Sequence, residues 1–80
     1  MPKLRALGGA DVVRIFQQFG FDIASQKGSH IKLRRITSDG AKQILTIPNH
    51  KELDPGTLRA IYRQSSRYIP EEQLKPQFYS

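Results

Sequence analysis

The chain has no cysteine and no tryptophan, and it has no long run of apolar residues. The absence of cysteine excludes disulfide bonds and thiolate metal sites, and it suits a protein of the reducing cytoplasm. No apolar run approaches the ~20 residues of a membrane-spanning helix, and residues 1–7 are too short and too polar for a signal peptide. With only 38% hydrophobic residues, a large buried cofactor pocket is not expected. We therefore predict a small cytoplasmic protein that uses no cofactor.

Potential metal ligands other than cysteine are also few. The chain has two histidines, His30 and His50. The acidic residues beyond the first predicted helix are Asp22, Asp39, Glu52, Asp54, Glu71 and Glu72. They are scattered and show no pairing of the kind that two-metal phosphodiester cleavage requires. The sequence therefore predicts no metal site.

The chain does have an excess of positive charge. Thirteen lysines and arginines against seven aspartates and glutamates give a formal net charge of +6. In a small domain this excess indicates a polyanionic partner, which can be a nucleic acid, an acidic protein or a membrane surface. A membrane is the weakest of the three, because no basic amphipathic helix with a broad aromatic face stands out.

The spacing of apolar residues predicts the order of helices and strands. Helical spacing covers about residues 9–19, alternation typical of strands covers residues 21–25, 30–36 and 43–47, and helical spacing returns after residue 54. Turn signals separate the strands at Gly28 and at Asp39-Gly40. The second helix has Asp54 as its predicted N-cap, and Leu53 and Leu58 are spaced for a hydrophobic staple.

These elements predict a single α+β domain over residues 1–80. Its order is helix, three-stranded antiparallel sheet, helix (α-β-β-β-α), with both helices on one face of the sheet and the other face open. The strand of residues 21–25 is expected to be half-buried. We expect a core of about residues 8–70, a flexible basic N-terminus, one short turn through Leu74 and a frayed C-terminal tail of six residues.

The open face of the predicted sheet carries a histidine beside two cations. In the strand of residues 30–36, Ile31 and Leu33 share the face that packs on the helices. Alternation then places His30, Lys32 and Arg34 together on the open face. Imidazole side chains titrate near pH ~6.5, so a histidine can both take and give a proton at cellular pH. His30 is therefore the candidate catalytic acid and base.

The turn before His30 suits a bound phosphodiester, because cations neutralise phosphates and a glycine lets the backbone approach closely. The candidate RNA-binding residues are Lys27, Gly28, Ser29, Lys32 and Arg34. RNA cleavage needs a proton removed from the ribose 2′-hydroxyl and a proton given to the departing 5′-oxygen, and one histidine with nearby cations can supply much of this. DNA lacks the 2′-hydroxyl, so a metal-free site of this type implies RNA.

His50 has three open roles: a loop residue with a structural hydrogen bond, a substrate contact, or an auxiliary acid or base. We place the structural role first. A nucleophilic pair of Ser29 with His30 is discounted, because adjacent side chains on a strand point to opposite faces.

Four motifs follow one another in an order typical of a known family. They are Phe19-Gly20-Phe21, Gln26-Lys27-Gly28-Ser29-His30, Ile47-Pro48-Asn49-His50 and Pro55-Gly56-Thr57-Leu58-Arg59-Ala60-Ile61. In this order and spacing the chain, from about Gly9 to Ile69, resembles the HicA family. That family comprises small mRNA interferase toxins of bacterial toxin–antitoxin pairs.

The resemblance implies a fold like a double-stranded-RNA-binding domain and metal-independent RNA cleavage that stops translation and growth under stress. It implies a catalytic role for the motif histidine, His30, and a place for Gly28 in the same motif. It further implies a HicB-like antitoxin as protein partner and a bacterial or archaeal cytoplasm as location.

Three hypotheses follow from these patterns. The first is an endoribonuclease toxin that uses His30. The second is a non-catalytic RNA-binding module that uses the same basic sheet face. The third is a protein-interaction domain whose basic surface meets only an acidic partner.

Overall fold

The computed structural model describes residues 2–80. The six elements are α1 (Gly9–Gln18), β1 (Asp22–Lys27), β2 (His30–Ile36), β3 (Lys42–Pro48), α2 (Pro55–Ser65) and α3 (Glu71–Phe78). The three strands form one antiparallel sheet in the order β1-β2-β3. This confirms the predicted α+β arrangement of helix, three-stranded sheet and helix with one open sheet face, and adds a third helix to it.

The pairing of strands decides which side chains share a face, because residues directly opposite each other point the same way. Ile31 lies opposite Ile47, and Leu33 lies opposite Leu45. All four are buried, so they form the covered face of the sheet. The alternation predicted for β2 is confirmed, since its exposed residues fall between these buried ones.

The helices pack their apolar stripes onto this covered face. Phe16 and Phe21 are fully buried and their ring centroids lie 5.8 Å apart. Phe19, at the end of α1, is only partly buried against the core. The core thus lies between β2, β3 and the helices, and it leaves the opposite sheet face in water.

The start of α2 follows the predicted signals. The Asp54 carboxylate accepts hydrogen bonds from the backbone N–H of Thr57 (3.0 Å) and from its hydroxyl (2.6 Å). These bonds, the one from the hydroxyl first, hold the pKa of Asp54 below its ordinary value. Leu53 and Leu58 are both buried, as the hydrophobic staple requires.

The prediction of a half-buried first strand is wrong. Every residue of β1, from Asp22 to Lys27, is exposed. The buried aromatic Phe21 lies just before the strand, and β1 is an edge strand that pairs only with β2. A bulge between Ile23 and Ser25 also shifts the alternation within it. The alternation of apolar and polar residues in the sequence could not show that the helices leave the edge strand β1 uncovered.

The prediction of a flexible N-terminus and a frayed tail is also wrong. Residues 71–78 form α3, and its Leu74 and Phe78 are fully buried. Leu4 forms an antiparallel bridge with Tyr79. The backbone N–H of Lys3 donates to the carbonyl of Ser80 at 2.7 Å, and the reverse bond is 2.9 Å long. Apolar burial therefore extends beyond residue 70, and residues 3–4 pair with residues 79–80 through backbone hydrogen bonds.

Arg35 ties three parts of the fold together. Its Nε donates to Oε1 of Gln43 (2.7 Å), Nη1 donates to the carbonyl of Phe19 (2.8 Å), and Nη2 donates to the carbonyl of Tyr68 (2.8 Å). The guanidinium carbon also lies 4.8 Å from the centroid of the Phe21 ring, within the range of a cation–π interaction. Arg35 thus joins β3 to the end of α1 and to the segment that follows α2.

Replacing Arg35 by lysine is expected to lower the free energy of unfolding by about 1–3 kcal/mol, because an ammonium cannot reproduce the planar fork and leaves acceptors unpaired. Urea denaturation measures this change. Arg34→Lys is the matched control, since Arg34 is the exposed neighbour on the opposite face, and we expect a change within about 0.5 kcal/mol. Equal destabilisation by the two substitutions would contradict the role of Arg35.

Candidate nucleic-acid interface

A two-residue turn, Gly28-Ser29, joins β1 to β2. Gly28 has a φ of +54°, a left-handed conformation that costs little only for glycine. A Cβ added at Gly28 would meet nothing within 4 Å, so glycine is required here for its backbone angle and not for space. The same openness leaves the turn free for a ligand to approach.

His30 is the first residue of β2 and lies on the open face of the sheet. It pairs with Lys27 on β1 and with Pro48 on β3. Lys32 and Arg34 follow at alternate positions, and all three are exposed. The register predicted from the sequence therefore holds, and it brings His30, Lys32 and Lys27 onto one surface.

The cations of this surface have no carboxylate partner of their own. Across residues 2–80, the sole ion pair joins Arg14 and Asp11 on α1. The open face carries Lys27, Lys32, Arg34 and Lys42, with Asp22 as its one acidic residue, opposite Arg34. We call this set of residues, together with His30, the basic face. Its uncompensated charge favours an anion.

A loop after β3 is fastened to the turn that precedes His30. The backbone N–H of Asn49 donates to the carbonyl of Ser29 at 2.6 Å, and the N–H of Gly9 donates to the carbonyl of His50 at 2.8 Å. A Cβ at Gly9 would run into the carbonyl oxygen of Pro48. The close approach of α1 to the loop therefore depends on this glycine.

His50 makes this hydrogen bond through its backbone carbonyl, which any residue could supply, so the bond does not decide among the three roles of the side chain. Its side chain is exposed, two residues beyond the strand end that pairs with His30. Within the described part of the chain neither imidazole, of His30 or of His50, takes part in a hydrogen bond. Neither ring is held by another side chain of that part, and the roles of both histidines stay predictions.

Residues 2–80 contain neither a metal-binding cluster nor a membrane-spanning helix. No group of three or more His, Asp or Glu side chains is placed to hold a metal ion. No helix among those residues is long and apolar enough to cross a bilayer.

The chain was compared with curated proteins and with models of protein families. No curated protein matches the chain. The family described as the HicA toxin of bacterial toxin–antitoxin pairs matches residues 9–66, a span that runs from the start of α1 to the end of α2 and includes the whole basic face. The match covers well over half of the chain, and the chain therefore belongs to the HicA toxin family.

Proposed function

We propose that this HicA toxin is a metal-independent endoribonuclease, an mRNA interferase, with His30 as its general acid and base. In this proposal the toxin acts as a single domain in the cytoplasm, where cleavage of mRNA stops translation and growth under stress. The observation that supports it most directly is the position of His30, exposed on the basic face between Lys27 and Lys32.

The chemistry requires that a proton leave the 2′-hydroxyl as its oxygen attacks phosphorus. The bond from phosphorus to the 5′-oxygen then breaks, and that oxygen takes up a proton. His30 can accept the first proton and return it to the leaving oxygen, because an imidazole can serve first as the base and then as the acid. The products would be a 2′,3′-cyclic phosphate and a 5′-hydroxyl.

The cations around His30 have two tasks in this scheme. Lys27, on the neighbouring strand, is the cation directly opposite His30, so we assign it to the charge that builds on the scissile phosphate. Lys32 and Arg34 continue along β2 at alternate positions and would hold the next phosphates of the strand. The backbone of Gly28 and Ser29 offers close contacts at the turn.

His50 is the candidate for an auxiliary role. Its loop is bonded to the turn that carries His30, so a phosphate bound at the turn could also reach it. We assign His50 a contact with the substrate, because it lies two residues beyond Pro48, the residue that pairs with His30.

The HicA family implies a cognate antitoxin, and we propose that it is a HicB-like protein that covers the basic face. A toxin of this kind must be silenced until it is needed. A net charge of +6 gives an acidic antitoxin a long-range attraction toward this surface.

The second candidate function is a non-catalytic RNA-binding module that uses the same face. It is favoured by one observation: no other side chain of residues 2–80 hydrogen-bonds to His30 to orient its ring. Catalytic histidines commonly have such a partner.

Incubating the purified chain with end-labelled mRNA in excess EDTA separates the two candidates. We expect cleavage to continue in EDTA and to yield ends with 2′,3′-cyclic phosphate and 5′-hydroxyl, because no step requires a metal. An intact strand, bound with an affinity that falls as salt is added, would support the binding module instead. Cleavage that appears only after Mg²⁺ is restored would contradict the metal-free mechanism.

A further inference from the structure

Two large hydrophobic side chains are exposed in the part of the chain that the structure describes, and they lie on opposite faces of the sheet. Ile23 is 50% exposed and Ile36 is 56% exposed. Ile23 pairs with the buried Leu33, so it belongs to the covered face beyond the reach of the helices. Ile36 pairs with Lys42, on the basic face. An isoleucine exposed on a surface otherwise suited to phosphates needs its own explanation.

Ile36 is not alone at this end of the sheet. Ile44 is partly exposed and lies opposite Arg34, two residues along the ladder from the pair of Ile36 with Lys42 and on the same face. Diagonal neighbours of this kind are about 7–8 Å apart, within reach of long side chains. We call Arg34, Ile36, Lys42 and Ile44 the distal patch. It has an apolar centre with one cation beside each isoleucine.

The distal patch is well separated from the chemistry. Six residue steps along β2 lie between His30 and Ile36, which at ~3.3 Å per step is about 20 Å. Phosphates gain nothing from isoleucine, whereas an apolar centre with a charged rim is typical of a protein–protein contact. The two ends of the basic face therefore have different chemical character.

We propose that the distal patch is the docking site of an acidic protein, the antitoxin of this toxin. An apolar side chain of the antitoxin lies against Ile36 and Ile44, and carboxylates beside it pair with Arg34 and Lys42. The cations of the patch have no ion-pair partner among residues 2–80, so a partner that carries carboxylates would be complementary to them. The proposal rests on the proposed function only for the existence of the antitoxin, and it does not depend on RNA cleavage.

Arg34 gives this arrangement a regulatory consequence. It belongs to the distal patch and also follows Lys32 along the proposed path of the RNA. An antitoxin anchored on the patch would hold Arg34 and deny it to the RNA before the rest of the basic face, including His30, is covered. Inhibition would then begin at the distal end and extend toward the histidine as more of the face is covered.

The test compares two isoleucines of nearly equal exposure. Ile36→Thr and Ile23→Thr both keep the β-branched shape that suits a strand. Affinity for the purified cognate antitoxin is measured by titration calorimetry, RNA cleavage is measured in the absence of antitoxin, and thermal unfolding confirms that both variants are folded. We expect Ile36→Thr to bind the antitoxin about tenfold more weakly than the parent, because apolar burial is lost. RNA cleavage by Ile36→Thr should equal that of the parent. Ile23→Thr should bind the antitoxin as tightly as the parent does.

Three results would overturn the proposal: unchanged affinity in Ile36→Thr, an equal loss in Ile23→Thr, or a parallel loss of RNA cleavage in Ile36→Thr. The last of these would assign the patch to RNA. Absence of RNA cleavage in the parent would overturn the nuclease function alone. The antitoxin affinities of Ile36→Thr and Ile23→Thr would still test the docking site.

Discussion

Replacing His30 by alanine is expected to lower the rate of RNA cleavage by about 10²–10⁴-fold, the range typical of a lost general acid or base. His30 is exposed and its ring has no hydrogen bond within residues 2–80, so the substitution removes no packing. The free energy of unfolding should therefore change by less than about 0.5 kcal/mol. The measurement is the single-turnover rate on a labelled mRNA, with growth arrest on induction as its counterpart in cells.

His50→Ala is the matched control, because the chain has no other histidine. We expect a loss of less than about tenfold from it, as for a residue that contacts the substrate without transferring a proton. Equal growth arrest and equal mRNA loss from His30→Ala and the parent would remove the catalytic assignment. A larger loss from His50→Ala than from His30→Ala would exchange the roles of the two histidines.

Replacing Phe78 by alanine is expected to lower the free energy of unfolding by about 3–5 kcal/mol, the usual cost of deleting a buried aromatic ring. Phe78 is fully buried, and its ring centroid lies 6.0 Å from that of Phe16 and 5.5 Å from that of Tyr62. Small domains are stable by only about 5–15 kcal/mol. The variant should therefore unfold at a much lower urea concentration than the parent.

The control for Phe78→Ala is Gln73→Ala on the same helix, since Gln73 is exposed. Its expected effect is within about 0.5 kcal/mol. An unfolding free energy of Phe78→Ala within 1 kcal/mol of the parent's would mean that α3 is not part of the cooperative core. The same pair of variants shows whether the C-terminal helix supports the basic face, because RNA cleavage can be followed at temperatures where each is folded.

The strand that carries His30 could be predicted from the sequence, because its pattern has a local cause. Ile31 and Leu33 alternate with cations, a glycine turn precedes them and an Asp-Gly turn follows them. Each signal acts over a few residues, and none requires knowledge of distant contacts. The shared face of His30, Lys32 and Arg34 follows from the geometry of any strand.

The remaining features depend on contacts between distant parts of the chain. Pro76 within α3 argues against a helix in the sequence, since proline cannot donate to the backbone ladder. Only the packing of Leu74 and Phe78 on the core overrides that signal. The bonds of Arg35 to the carbonyls of Phe19 and Tyr68 likewise join residues far apart in sequence, and an arginine in a basic strand gives no sign of them.

The absence of any wall around His30 decides how a polymer can reach it. The residues of the turn and the neighbouring cations are exposed, and a Cβ added at Gly28 would meet nothing within 4 Å. A long RNA could therefore lie across the sheet sideways at any point along its length, with no free end to thread. Under the proposed function, the exposure of a stretch of message would then decide whether it can be cleaved, and the toxin would compete with translating ribosomes for bare segments of message.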